Sequence, residues 1–167
     1  VVKHPKGDRE VLITTTPKRW AEQSAYFGAT VGRYANRIAN GEYELNSKVY
    51  QLAKNNGDNN LHGGLKGANA VEWQVLEQSP QAVKFGYTFA DGEEGFGGEV
   101  KATVTYRLTD NQLEVYFDAL SDQATPLCLT NHAYFNLENA EQGSDVREHT
   151  LRLNADFYLP VDNEGIP

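Results

Sequence analysis

The sequence predicts an all-β protein whose antiparallel strands form a β-sandwich. Apolar and polar residues alternate with a period of two through several runs in the middle of the chain, as in sheets that bury one face. Turn-forming residues, mainly Asn, Asp and Gly, separate these runs. Many short strands with turns between them are typical of sandwiches, and the sequence shows no convincing amphipathic helix pattern, so this architecture is favoured over a βαβ fold.

The first part of the chain carries the weakest pattern. The apolar run at residues 11–13 predicts a strand, which is followed by a turn at Pro17. Residues 18–26 fit a short helix or an ordered loop, and the pattern does not decide between them. Residues 28–41 contain repeated glycines between Arg and Asn residues, which predicts irregular structure near a surface.

The middle of the chain shows a clear alternation. A hairpin is predicted in which a strand containing Tyr43 and Leu45 turns at Asn46-Ser47 and returns through residues 49–52. Residues 54–60, which follow this hairpin, are rich in Asn, Gly and Asp and predict a polar loop.

Four longer strands are predicted beyond this loop, and residues 109–111 join the last two as a hairpin. A final strand is predicted from the spacing of Leu151 and Leu153. The alternating apolar residues of the four strands are Val71, Trp73 and Val75; Val83, Phe85, Tyr87 and Phe89; Val100, Ala102, Val104, Tyr106 and Leu108; and Leu113, Val115, Phe117 and Ala119.

The composition limits the classes of protein to be considered. The 167 residues are enough for one domain with its own core, and 40% of them are hydrophobic. A formal net charge of −8 argues against nucleic acid or an anionic membrane surface as a partner. No apolar run approaches the roughly 20 residues that a membrane helix needs. Cys128 is the only cysteine, which rules out an intrachain disulfide and predicts a reducing, cytoplasmic location.

The strongest candidate for a functional segment lies at residues 130–137. Its sequence is Thr130-Asn131-His132-Ala133-Tyr134-Phe135-Asn136-Leu137. A histidine can transfer a proton near neutral pH, and side-chain amides can bind hydroxyl groups without carrying charge. This combination suits an uncharged polyol such as a sugar. Taken alone, His132 has a simpler explanation as a hydrogen-bonded core or turn histidine.

Three other segments place polar groups outside the strand pattern. Residues 32–38 contain Arg33 and Arg37, which can donate fixed hydrogen bonds to hydroxyls or a carboxylate, or can form a surface ion pair or stabilise a loop. Two glycines follow His62, where the backbone can approach a ligand closely or form an ordinary turn. Residues 91–98 are rich in Gly and Glu and are interpreted as a long loop between strands.

Several of these segments closely resemble the galactose mutarotase (aldose 1-epimerase) family. The resemblance implies a large antiparallel β-sandwich, the mutarotase-like supersandwich, and an isomerase that interconverts the α and β anomers of free aldohexoses such as galactose and glucose. It implies no metal and no organic cofactor, and the histidines here lack the spacing of a standard zinc site. The matching motifs are Gly32-Arg33-Tyr34-Ala35-Asn36-Arg37-Ile38-Ala39-Asn40, Leu61-His62-Gly63-Gly64, residues 130–137, and Asp156-Phe157-Tyr158-Leu159-Pro160-Val161-Asp162.

The resemblance also implies roles for individual residues. His132 is the general acid at the ring oxygen, and His62 holds or polarises the same side of the sugar. Arg37 and Asn36 exchange hydrogen bonds with the ring hydroxyls and orient the substrate. Such groups are needed because ring opening takes a proton from the anomeric hydroxyl and gives one to the ring oxygen, and ring closure reverses both transfers.

The sequence also departs from the family. The family needs a glutamate as general base and an aspartate that binds sugar, and the chain contains no motif that matches either. The chain begins at Val1, contains no methionine and stops at Pro167. We therefore expect residues 1–167 to be part of a single mutarotase-like sandwich domain that lacks N-terminal strands and the C-terminal half. The alternative is a non-catalytic carbohydrate-binding module or an inactive fragment on the same fold, and the sequence does not predict an oligomeric state.

Overall fold

The computed structural model describes residues 1–110, 112–138, 140 and 145–167. Within this part of the chain, regular structure consists of strands and short 3₁₀ helices, and the strand ladders are antiparallel. The all-β prediction is therefore confirmed. The strands are β1 (Thr30–Val31), β2 (Arg37–Ile38), β3 (Glu42–Leu45), β4 (Lys48–Gln51), β5 (Asn60–Leu61), β6 (Gln74–Gln78), β7 (Ala82–Phe89), β8 (Val100–Thr109), β9 (Gln112–Ser121) and β10 (Thr130–Asn131), and the 3₁₀ helices are Pro17–Glu22, Ala39–Gly41 and Glu93–Gly95.

Two compact units make up the described chain. One contains residues 1–29, 132–165 and 167, and the other contains residues 30–131 and 166. The strands β1 to β10 all lie in the second unit. The first unit contains the helix Pro17–Glu22, which decides the ambiguous region at residues 18–26 in favour of a short helix at its start.

The largest sheet is an antiparallel meander in the order β6-β7-β8-β9. Burial alternates along β8, where Val100, Ala102 and Val104 are 0%, 2% and 2% exposed and the residues between them are more open. The period-two pattern thus predicts these strands correctly, although β6 begins at Gln74 and not at Val71. The core cluster contains Ala68, Phe89, Val100 and Ala102, with Trp73, Tyr87 and Leu129 packed against it.

Both predicted hairpins are consistent with the observed strands. β3 and β4 pair with Leu45 opposite Lys48, and the turn residues Asn46 and Ser47 have φ angles of +53° and +58°. Two-residue hairpin turns require such positive φ values, which Asn tolerates better than most residues. The β8–β9 ladder closes with Thr109 opposite Gln112. The predicted turn between them includes Asn111, which lies outside the described residues.

Two strand predictions in the first unit need correction. Among the described residues, Leu12 of the run at residues 11–13 forms one bridge, to Phe135, and the N–H of Ile13 donates to the carbonyl of Tyr134 at 2.9 Å. The strand predicted from Leu151 and Leu153 is wrong, since these residues lie in irregular structure and are 81% and 70% exposed. Alternating apolar residues indicate which side chains favour burial. A strand also needs a neighbouring strand that forms hydrogen bonds with its backbone N–H and carbonyl groups.

Arg33 stabilises the loop at residues 91–98. Its side chain is almost completely buried, and Nη1 donates to the carbonyl of Gly98 at 2.7 Å. Nη2 donates to the carbonyl of Gly97 and to Oγ1 of Thr125. Burial lowers the pKa of the Arg33 guanidinium, because desolvation penalises its charged form. Arg33 is therefore a loop-stabilising arginine, and residues 91–98 form the expected inter-strand loop.

Replacing Arg33 by methionine is expected to lower the free energy of unfolding by about 2–4 kcal/mol, because the carbonyls of Gly97 and Gly98 lose their donors while buried. Urea titration measures the change. The same replacement at Arg107, whose half-exposed side chain pairs with Glu114 at 3.9 Å and whose Cζ lies 5.8 Å from the centroid of the Tyr116 ring, is expected to cost about 1 kcal/mol. Equal losses from the two variants would contradict the role given to Arg33.

Candidate active site

His62 and Asn36 are joined by reciprocal hydrogen bonds. β2 pairs with β5 in a register that sets Arg37 opposite Leu61, so the neighbouring residues Asn36 and His62 meet at the end of the ladder. The backbone N–H of His62 donates to the carbonyl of Asn36 at 3.0 Å. In return, the backbone N–H of Asn36 donates to Nδ1 of the His62 ring at 3.0 Å. The imidazole is therefore fixed relative to the Asn36–Arg37 segment.

This contact also selects the tautomer of His62. Nδ1 accepts a hydrogen bond, so its lone pair is engaged and the proton of the neutral ring lies on Nε2. A neutral imidazole with Nε2–H can donate to a hydroxyl or ether oxygen. His62 as a whole residue is half-buried.

The turn after His62 packs closely against the backbone of Gly32 and Arg33. Gly63 has a φ of +92°, and a Cβ at this position would lie 1.9 Å from the carbonyl oxygen of Gly32. Only glycine fits this contact. The two segments that the sequence singled out, around residues 32–38 and around His62, are thus in direct backbone contact.

Two side chains from outside these segments hold the same turn. The amide of Asn55 donates to the carbonyls of Leu61 and Gly64 at 2.9 and 3.0 Å and accepts from the N–H of Leu61 at 2.7 Å. The carboxylate of Glu94 accepts from the N–H groups of Leu65 and Lys66 at 2.8 and 3.0 Å.

Arg37 lies beside Asn36 with its guanidinium held by two amide oxygens. Nε donates to Oδ1 of Asn56 at 3.0 Å, and Nη1 donates to Oδ1 of Asn36 at 3.2 Å. Arg37 is half-buried and Asn36 is exposed. The guanidinium has five N–H donors, so these two bonds leave further donors on Nη1 and Nη2 for a ligand.

His132 belongs to the other compact unit, where its backbone and its ring are both constrained. Its N–H donates to the carbonyl of Ala29 at 2.8 Å, and its carbonyl accepts from the N–H of Gly28 at 3.0 Å. The ring centroid lies 5.6 Å from that of Tyr26 and 5.1 Å from that of Tyr134. Aromatic contacts on a half-buried imidazole restrict its rotation, which is what a proton-transfer group needs.

The structure thus groups three of the four predicted site residues, Asn36, Arg37 and His62, in one unit and sets His132 between aromatic rings in the other. Sequence reasoning missed Asn55, Asn56, Glu94 and Tyr26 as partners of these residues. The high number of Asn residues at positions 54–60 could have drawn attention to Asn55 and Asn56.

Among the residues that the structure describes, we find no cluster of three His, Cys, Asp or Glu side chains that could hold a metal ion. The described helices are also too short to span a membrane.

Comparison with known proteins agrees with the motifs. Residues 2–167 match the family model described as aldose 1-epimerase. An aldose 1-epimerase of Haemophilus influenzae is 54% identical over 168 residues, covering 99% of this chain and 49% of the relative. A galactose mutarotase of Sus scrofa is 47% identical over 151 residues, covering 90% of this chain and 43% of the relative.

A solved structure gives the same result for the fold. The crystal structure of a GalM/aldose epimerase homologue from C. elegans superposes with a TM-score of 0.86 at 38% identity, covering 94% of this chain and 48% of that chain. The chain therefore belongs to the aldose 1-epimerase family, and the predicted mutarotase-like β-sandwich class is confirmed. It spans about half the length of the curated relatives it matches.

Proposed function

We propose that this protein is an aldose 1-epimerase that interconverts the α and β anomers of free aldohexoses such as galactose and glucose. The observation that carries the proposal is the group formed by Asn36, Arg37 and His62, in which Asn36 holds the imidazole through its backbone N–H and the guanidinium through Oδ1. Such neutral and cationic donors suit the hydroxyl groups of an uncharged sugar. The names of the relatives from Haemophilus influenzae and Sus scrofa support the same reaction.

The reaction requires a proton at the ring oxygen when the pyranose opens, and we assign its delivery to His132. On ring closure His132 takes this proton back. His62 donates from Nε2 to the sugar and polarises it, while Arg37 and Asn36 bind hydroxyl groups and orient the ring. A positioned acid contributes about 10²–10⁴-fold to the rate, and orientation adds to this. The mechanism uses neither a metal nor an organic cofactor.

We further propose that residues 1–167 are part of one sandwich domain and that the complete gene product supplies the general base. Support comes from the length of the relatives, of which the chain spans about half. The net charge of −8 supports a neutral sugar as the partner instead of nucleic acid or a membrane surface. The single cysteine supports a cytoplasmic location.

The test is polarimetry on freshly dissolved α-D-galactose with the complete gene product that contains residues 1–167. We expect the optical rotation to relax faster than in buffer, in proportion to protein concentration. Residues 1–167 alone are expected to give very weak catalysis or none, because no motif for the base lies within them. A complete gene product that leaves the relaxation at the buffer rate would exclude the epimerase, and sugar binding without acceleration would favour the carbohydrate-binding module.

A further inference from the structure

The guanidinium of Arg37 has an anchor that lies outside the predicted sugar-binding residues. Nε donates to Oδ1 of Asn56 at 3.0 Å, while the bond from Nη1 goes to Asn36, which is itself a predicted binding residue. Two anchors together with the side-chain stem fix both the position and the plane of a guanidinium. Without Asn56, the Asn36 contact alone would let the plane rotate.

The segment that presents Asn56 is held by several hydrogen bonds. Asn56 and Asn59 exchange backbone hydrogen bonds of 3.2 and 3.0 Å, closing a tight turn over Gly57 and Asp58. Oδ1 of Asn59 accepts from the backbone N–H of Asn40 at 2.9 Å. Asn59 is almost completely buried, so the turn is fixed to the body of its unit. Asn56 is therefore a pre-organised acceptor, and Arg37 loses little entropy on meeting it.

An amide suits this position better than a carboxylate would. A carboxylate can accept two parallel hydrogen bonds from a guanidinium and so occupy the donors that a ligand needs. The single amide oxygen of Asn56 engages Nε and leaves Nη2 and one N–H of Nη1 for hydroxyl groups. It also leaves the positive charge of Arg37 uncompensated by this neighbour.

We propose that Asn56 is a positioning residue for sugar binding, whose amide oxygen holds the guanidinium of Arg37 so that its remaining donors are directed at substrate hydroxyls. This inference rests on the proposed function, because it assigns Arg37 to the sugar. Asn56 does not itself touch the substrate. Its effect is transmitted through the bond to Nε of Arg37.

The test compares Asn56→Leu, which keeps the shape but removes the acceptor, with Asn56→Asp, which keeps an acceptor oxygen. In the complete gene product we expect Asn56→Leu to raise KM for galactose about tenfold with kcat nearly unchanged, because the bond to the sugar is made in ground state and transition state alike. Asn56→Asp should raise KM less than Asn56→Leu does, because a hydrogen bond to Nε is retained although the carboxylate can also occupy a second donor of Arg37.

Two further variants separate positioning from folding of the loop. Asp58→Ala changes an exposed residue of the same turn and should leave KM unchanged. In an Arg37→Lys background the Nε–H donor is absent, so adding Asn56→Leu should raise KM no further. A nitrogen–proton NMR spectrum gives a direct readout, in which the Nε–H of Arg37 should exchange with water faster in Asn56→Leu than in Asn56→Asp.

The outcomes distinguish a failure of the role given to Asn56 from a failure of the proposed epimerase function. An active wild-type protein with unchanged KM in Asn56→Leu, or with equal increases in Asn56→Leu and Asp58→Ala, overturns the role of Asn56 alone. Additive increases of KM with Arg37→Lys also overturn it. A wild-type protein at the buffer rate overturns the proposed function and the sugar-binding part of the inference together.

Discussion

Replacing His132 by alanine in the complete gene product is expected to lower kcat for galactose mutarotation by about 10²–10⁴-fold. The imidazole is the group to which we assign proton delivery at the ring oxygen, and alanine cannot transfer a proton. The backbone bonds of His132 to Gly28 and Ala29 do not involve the side chain, so the fold should persist. Polarimetry measures the rate, and circular dichroism checks that the variant is folded.

A second variant separates proton transfer from packing at the same position. His132→Gln can still hydrogen-bond and still lies near Tyr26 and Tyr134, but it does not titrate near neutral pH. It should be nearly as slow as His132→Ala. His4→Ala removes a histidine whose Nδ1 accepts a local bond from the N–H of Lys6 and should keep the wild-type rate. Wild-type activity in His132→Gln would show that His132 is not the acid.

Gly63→Ala is expected to give the largest loss of stability among single methyl additions in the His62 turn. The new Cβ would lie 1.9 Å from the carbonyl oxygen of Gly32 and 2.4 Å from the backbone nitrogen of Arg33. Backbone atoms cannot move aside as a flexible side chain can. We expect a decrease of about 3–5 kcal/mol in the free energy of unfolding, or a protein that does not fold.

Gly57→Ala is the matched control, because it adds the same methyl group at a positive φ without a clash. Gly57 has a φ of +60°, and nothing lies within 4 Å of its would-be Cβ. Only the left-handed backbone penalty of about 1–2 kcal/mol applies there. Urea titration of both variants isolates the contribution of the close approach. Similar losses at Gly63 and Gly57 would mean that the contact between the two segments is not tight.

Local sequence patterns predicted the parts of the fold that depend on neighbours along the chain. The β3–β4 hairpin follows from alternation and from the tolerance of Asn46 for positive φ, both of which are local properties. The β8 strand follows from its period-two pattern, which sets Val100, Ala102 and Val104 on one face. Leu151 and Leu153 carry the same kind of pattern without forming a strand, because pairing requires a partner and alternation does not report one.

The sequence predicted which residues form the candidate site, but it did not predict how they contact one another. The motif resemblance identified Asn36, Arg37, His62 and His132, and the family comparison bears out the resemblance itself. Their individual roles stay predictions. The contacts of His62 with Asn36 join residues 26 positions apart, and the β2–β5 register that creates them has no signature in either short strand. The hydrogen bond that Arg37 donates to Asn56 and the one that Leu65 donates to Glu94 also join residues that are far apart in the sequence.

Arg33 and Arg37 show most clearly what each level of description decides. The amino-acid pattern is enough to show that both arginines lie in one motif, at residues 32–40, and that this motif resembles the aldose 1-epimerase family. The folded chain adds that Arg33 is buried against carbonyls 64 and 65 residues away, while Arg37 keeps donors for a ligand. A guanidinium can be buried only where acceptors converge on it, and segments distant in sequence converge only when the chain folds.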